Sequence, residues 1–168
     1  MGEALISFAP SNGGYIGRQS YSTTVSITLS GSQSNKSGGN ITAAAVTISG
    51  LSGAINCTMY IPQFTFTAQA TMGASADSIS WTSFKWRIIN ESTTISGDNA
   101  SSITGITSTS TNYSLTLPAL TASFTPVNDS ITLQVYGYVG VSSDRDYISG
   151  GIKSAAHNVT VNYDLVKF

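Results

Sequence analysis

Apolar and polar residues alternate along most of the chain. From Ser22 onward, Val25, Ile27 and Leu29 fall on one face of an extended backbone, with Ser or Thr between them. Such a period of two predicts a β-strand with one buried face. The pattern recurs over residues 41–49, 55–61, 64–72, 79–89, 113–117, 131–141 and 159–168.

Eight or nine such strands, separated by turns rich in Gly, Pro and Ser, predict an all-β fold built as an antiparallel β-sandwich. In the second half, a Trp-bearing strand through Trp86 follows a strand that ends at Met72, and later strands begin near Tyr113, Ile131 and Val159. This order resembles an immunoglobulin-like sandwich. Such domains carry a second Cys, which is missing here. A jelly roll is the alternative topology, and the sequence leaves both open.

The chain divides into a short N-terminal segment and one domain. Residues 1–21 do not alternate, and we expect an N-terminal arm or an irregular first strand there. Residues 22–168 are expected to form a single sandwich domain, a size that buries a full core. Residues 31–39 and 92–112 are predicted loops, the second with a short strand at 103–106.

The strand over residues 79–89 has the largest side chains. Phe84, Trp86 and Ile88 share one face and are expected in the core. Trp81 falls on the opposite, more polar face, which makes it a candidate for an exposed side chain.

Aromatic side chains away from the apolar faces are candidates for a subunit interface or a ligand platform, because exposed Tyr and Trp stack on ligands and anchor interfaces. These candidates are Trp81, Tyr136, Tyr138, Phe8 and Tyr15.

Composition changes the picture from a generic sandwich to a weakly charged one. Ser and Thr make up 49 of the 168 residues, whereas only 15 residues carry a charge. Thr favours extended backbone, and its hydroxyl group solvates the outer face of a sheet. The net charge of −1 provides no field that attracts a polyanion, so nucleic-acid binding is not expected. Near-neutral proteins tend to associate, which favours a homo-oligomer or a larger assembly.

The expected location follows from three features taken together. Cys57 is the only cysteine, so it cannot form an intrachain disulfide, and it is expected to be a small buried hydrophobe. The first residues lack the basic and apolar regions of a secretion signal, and no apolar run reaches the ~20 residues that span a bilayer. The uncharged polar composition nevertheless suits exposure to the outside. Virion proteins, made in the host cytoplasm and exposed after lysis, satisfy all three conditions, and an extracellular or cell-surface location is the alternative.

No motif indicates a reaction. His157 is the only histidine, no G-x-S-x-G elbow occurs, and the eight carboxylates are not clustered. We therefore expect no enzymatic activity, no cofactor and no structural metal. Asp144 and Asp146, with Ser142, are candidates for a calcium site, although the cationic Arg145 between them disfavours binding of a cation.

These observations predict a non-enzymatic structural protein of a virus or phage particle. It would be a capsid-decorating or cement protein, or a tail- or fibre-associated β-sandwich, that associates with itself and with other virion proteins. One alternative is a receptor- or carbohydrate-binding module that binds a glycan or a host receptor. Another is a secreted pilus or surface-layer subunit whose signal sequence has been removed.

Overall fold

The computed structural model describes residues 17–34, 37–72, 77–142 and 148–168. Within these ranges the chain forms thirteen β-strands and no helix. The strands are β1 (Gly17–Leu29), β2 (Ser32–Gln33), β3 (Gly39–Ser49), β4 (Ala54–Ile61), β5 (Phe64–Thr71), β6 (Ser78–Asn90), β7 (Thr93–Ser96), β8 (Ile103–Ile106), β9 (Ser110–Leu117), β10 (Leu120–Phe124), β11 (Ser130–Ser142), β12 (Ser149–Ile152) and β13 (Ala155–Lys167). The predicted all-β antiparallel sandwich is confirmed.

Most strand positions agree with the alternation in the sequence. The short strand predicted at residues 103–106 is β8. Four strands, β2, β7, β10 and β12, were not predicted. β2 and β7 are short and lie within the predicted loops at 31–39 and 92–112, which the structure corrects. β10 has only five residues, and β12 has two glycines among its four, so neither carries a long alternating pattern.

The first layer of the sandwich is a four-stranded sheet broken across its middle. One half has the order β1-β13-β4-β10 and the other β2-β12-β5-β9, so each strand of one half continues in sequence into a strand of the other. The antiparallel register is kept across the break, since Ile61 pairs with Leu120 and Phe64 with Leu117. Pro62 and Pro118 lie in the break, where a residue without an N–H interrupts the ladder.

The second layer has the order β3-β11-β6-β7, and β8 pairs with the other end of β6. The break divides four strands, so β1 with β2, β4 with β5, β9 with β10 and β12 with β13 each count as one strand, and β7 with β8 are also taken as one. Renumbered along the chain, the eight resulting strands have the order 1-8-3-6 in the first layer and 2-7-4-5 in the second. The first strand is therefore paired with the last, the second with the seventh, the third with the sixth and the fourth with the fifth, as in a long hairpin that is wrapped into two sheets. This is the jelly-roll topology, which decides between the two alternatives left by the sequence.

The core between the layers contains both tryptophans. The Trp86 ring lies against Phe64, with ring centroids 5.7 Å apart. The Trp86 Nε1–H donates to the carbonyl oxygen of Pro62 (3.3 Å), and the Trp81 Nε1–H donates to that of Gly151 (3.1 Å). Each buried indole therefore has an acceptor, which avoids the free-energy cost of an unpaired buried donor.

A β-bulge interrupts β6 in its middle. Two residues of β6, Ser83 and Phe84, oppose the single Gly137 of β11. Ser83 has a left-handed backbone φ of 59°. Gly137 leaves space for the Phe84 ring, because a Cβ at that position would lie 2.3 Å from a ring carbon.

The bulge inverts the alternation of β6, and this corrects the expectation for Trp81. Before the bulge, Ile79 and Trp81 are buried; after it, Phe84, Trp86 and Ile88 are buried. One extra residue moves every following side chain to the other face of the strand. The expectation that Trp81 could be exposed is therefore wrong, since its side chain is 0% exposed.

β1 begins within residues 1–21, where an N-terminal arm or an irregular first strand is expected. β1 is regular from Gly17, so residues 17–21 of the predicted arm belong to a strand. The rest of that arm, residues 1–16, lies outside the described residues.

Candidate functional site

The aromatic residues predicted to form an interface or ligand platform do not come together. Trp81 is inside the core. Tyr136 and Tyr138 are half-buried on the outer face of the second layer. Phe8 and Tyr15 lie outside the described residues.

The two tyrosines of β11 are engaged by neighbouring groups. The Arg87 guanidinium lies over the Tyr136 ring, 4.1 Å from its centroid, in cation–π geometry. The Tyr138 hydroxyl donates a hydrogen bond to the carbonyl oxygen of Ser37 (2.6 Å). Both side chains thus stabilise the second layer itself.

A groove lies on the outer face of the first layer, across β1, β13 and β4. It is open, with a volume of ≈ 410 Å³. Its lining residues are Ser20, Tyr21, Ser22, Thr58, Tyr60, Asn162, Tyr163 and Asp164. Most of them form two neighbouring cross-strand rows, which differ in their hydrogen bonding.

The first row is Ser20, Asp164, Thr58 and Ser123, paired in register across four strands. Its side chains bond to one another. The Ser20 Oγ donates to Asp164 Oδ1 (2.5 Å), and the Thr58 and Ser123 hydroxyl oxygens are 2.9 Å apart. Arg18 adds an ion pair to Asp164 Oδ2.

These contacts fix the charge of Asp164. The hydrogen bond from Ser20 and the Arg18 guanidinium hold the pKa of the Asp164 carboxyl below its usual range. The carboxylate is therefore ionised at neutral pH, and its charge is balanced by Arg18. Among the described residues, Asp164 is the one charged side chain that lines the groove.

The second row is Ser22, Asn162 and Tyr60, also paired in register. Among the residues that the structure describes, none of these three side chains has a hydrogen-bond partner. The row beyond it is satisfied, because the Thr24 and Thr160 hydroxyl oxygens are 3.1 Å apart. Tyr60 is 45% exposed, more than any other tyrosine within the described ranges.

Tyr60 was not among the predicted site residues, although the alternation of β4 indicates that its side chain lies on the outer face. In β4 the apolar Cys57, Met59 and Ile61 point to the core, which leaves Tyr60 on the outer face. Its partners in the row are Ser22 of β1, 38 residues away along the chain, and Asn162 of β13, 102 residues away. Only the tertiary structure brings the three together.

β1 is a long, regular edge strand. It pairs with β13 over thirteen consecutive residue pairs, from Gly17↔Lys167 to Leu29↔Ala155, without a bulge. On its other side, no strand within the described ranges pairs with it. Its only charged residue is Arg18, which is already paired with Asp164.

Large exposed apolar side chains are concentrated on the first layer. Tyr21, Ile55 and Tyr60 lie on its strands, and Phe168 directly follows β13. The fifth such residue among those described, Val127, follows β10. None of these five described residues lies on a strand of the second layer.

Cys57 and His157 both pack against other parts of the protein. Cys57 is buried in β4, as expected, and burial together with the nearby Asp164 charge raises the pKa of its thiol to about 11. The thiol is therefore a poor nucleophile at neutral pH. His157 lies within β13 rather than before the last strand, and its ring packs edge-on against Phe64, with centroids 5.1 Å apart.

The Asp129 carboxylate supports the fold. Asp129 accepts the backbone N–H of Ser52 (3.0 Å) and holds the turn between β3 and β4. Among the described residues, no three His, Cys, Asp or Glu side chains are grouped as metal ligands would be. The calcium candidates Asp144 and Asp146 lie outside those residues.

No helix long and apolar enough to cross a membrane occurs in the part of the chain that the structure describes.

Comparison with protein-family models gave no match, and comparison with curated proteins gave none either. Among solved structures, the chain is similar to the crystal structure of infectious bursal disease virus VP2 subviral particle, at a TM-score of 0.21 and 12% sequence identity. The alignment covers 89% of this chain and 42% of that chain, so this chain spans less than half of its length. A TM-score of this size supports no conclusion about shared fold or function.

Proposed function

We propose that this chain is a non-enzymatic structural protein of a virus or phage particle, a capsid-decorating, cement, or tail- or fibre-associated jelly roll. It is made in the host cytoplasm, is exposed on the particle surface, and acts by associating with itself and docking on other virion proteins. The observation that carries the proposal is the outer edge of β1, with which no strand of the described residues pairs.

An edge strand presents a row of free backbone N–H and C=O groups that can pair with another chain. Soluble monomers block such edges with charges, prolines, bulges or short strands. β1 has none of these blocks, because it is thirteen residues long, regular, and carries one charge that is neutralised. We therefore assign the edge to pairing with β1 of a second copy, which a two-fold axis would place antiparallel to it.

Two further features are consistent with assembly. The nearly neutral chain has little charge repulsion between copies. The exposed apolar side chains of the first layer lie on the same layer as β1. Jelly rolls occur in viral capsid and lectin domains. This analogy at the level of the fold supports a particle protein, but it does not assign a role.

The edge is tested by placing charges on it. In Thr24→Lys/Ser26→Lys, two exposed positions of β1 become cationic, and the two-fold pairing would bring like charges together. We expect self-association to weaken by about tenfold or more. The matched control is Thr160→Lys/Asn158→Lys, which changes the register partners of those residues on the interior strand β13.

Sedimentation velocity over a range of protein concentrations reports the association. Association that is lost in the β1 variant and kept in the β13 variant supports the proposal. A wild-type protein that stays monomeric at every concentration, or equal losses in both variants, would reject β1 pairing. Immunodetection in purified particles separately tests the virion location.

A further inference from the structure

We propose that the groove on the first layer binds a neutral saccharide, with Tyr60 as the stacking ring and Asn162 and Ser22 as the hydrogen-bonding groups. This inference does not rest on the proposed assembly, because it uses side chains on the outer face rather than the backbone edge of β1.

The hydrogen-bonding pattern indicates that the row of Ser22, Asn162 and Tyr60 is available to a ligand. The rows on both sides of it are satisfied internally, by Ser20 with Asp164 and by Thr24 with Thr160. The free row therefore offers an amide, which both donates and accepts, and two hydroxyl groups. Vicinal hydroxyl groups of a sugar match this mixture of donors and acceptors.

The Tyr60 ring supplies the apolar half of the recognition. A pyranose has one face of C–H groups, which packs on the electron-rich face of an aromatic ring. Tyr60 is 45% exposed and borders the groove directly across from Asn162. Ser22, Asn162 and Tyr60 lie on three adjacent strands, so the row spans roughly 10 Å at the usual strand spacing. That length accommodates two linked sugar rings.

The charges select a neutral ligand. The groove is lined by the Asp164 carboxylate, which stays ionised because its pKa is lowered, and its ion-pair partner Arg18 is not among the lining residues. An anionic sugar would have to compete with Asp164 for Arg18. The volume of ≈ 410 Å³ lies within the range of roughly 300–1,000 Å³ that small-molecule sites have.

The test is binding to an array of neutral and sialylated glycans, followed by titration calorimetry with the neutral di- or trisaccharide that binds best. We expect Tyr60→Ala and Asn162→Ala each to weaken binding by about tenfold. Tyr60→Phe keeps the ring and should retain most of the affinity. Tyr136→Ala, which removes a half-buried tyrosine on the other layer, is the control and should bind like the wild type.

Circular dichroism and urea unfolding of each variant confirm that the sandwich is intact. Tyr60 and Asn162 are both on the outer face, so neither substitution opens the core. Absence of binding to every neutral glycan at ~10 mM would overturn the proposal. Binding restricted to sialylated glycans, or an equal loss in Tyr136→Ala, would overturn it as well.

Discussion

Asp164 illustrates how a single charged residue is used on a surface built mainly of hydroxyl groups. It accepts a hydrogen bond from Ser20 and forms an ion pair with Arg18, and both of these residues lie on the neighbouring strand β1. Arg18 is 69% exposed, so the pair is open to solvent and is screened by salt. The sequence shows both charges, but their pairing across 146 positions could not be predicted from the local pattern.

The lowered pKa of Asp164 predicts a specific dependence of stability on pH. A carboxyl whose folded-state pKa is below its unfolded value stabilises the protein above the unfolded pKa of roughly 3.9. That stabilisation is lost as the pH falls through the folded value. Asp164→Asn should therefore be less stable than the wild type at pH 7, and the difference should shrink below pH 4.

Urea unfolding between pH 2 and pH 7 at low salt measures this difference. Thr160→Ala on the same face of β13 is the control, since it removes no ionisable group. A wild-type-minus-variant difference that is constant over the whole pH range would show that Asp164 is not perturbed.

At the scale of elements, the pairing of β6 with β11 shows where local reasoning fails. The alternation of β11 is unbroken, and it was predicted correctly from Ile131 to Val141. In β6 the bulge at Ser83 inverts the alternation, so both Trp81 and Trp86 are buried despite lying five positions apart. A bulge depends on the partner strand, and a pattern within one strand does not reveal it.

The close approach of Gly137 to Phe84 leads to a prediction about this pair of strands. Gly137→Ala places a methyl group 2.3 Å from the ring, at the point where the bulge leaves no free space. We expect a loss of about 1–3 kcal/mol in the free energy of unfolding, as is typical of overpacking. Urea-induced unfolding measures it.

Gly97→Ala is the matched control. A Cβ at Gly97 would make ordinary contact with Leu120, at 3.5 Å, and its backbone φ is not left-handed. This variant should keep the wild-type stability within about 0.5 kcal/mol or gain slightly. Equal effects of the two substitutions would show that Phe84 moves aside freely.

At the scale of the whole molecule, the jelly roll places its contact features on one layer. Within the described ranges, the groove, the edge of β1 that has no partner strand and most of the exposed apolar side chains belong to the first layer. Residues 1–16 connect directly to Gly17 at the start of that edge.

Deleting residues 1–16 tests whether this segment takes part. The deletion leaves β1 whole, unlike a deletion of residues 1–21, which would remove five of its residues. We expect cooperative urea unfolding to be retained and self-association to weaken in sedimentation velocity. Unchanged association would show that the segment is not a docking arm, and stronger association would show that it covers the edge of β1.

The sequence by itself determined that this protein is an all-β sandwich with a hydroxyl-rich surface, because alternation with a period of two records which face of each strand is buried. The tertiary structure alone decided the jelly-roll order, the inward position of Trp81 and the row of Ser22, Asn162 and Tyr60. Each of these depends on how distant strands pair and in which register. Pairing and register are set by the packing of the whole core, and a one-residue shift changes the exposed face without changing the sequence of the strand.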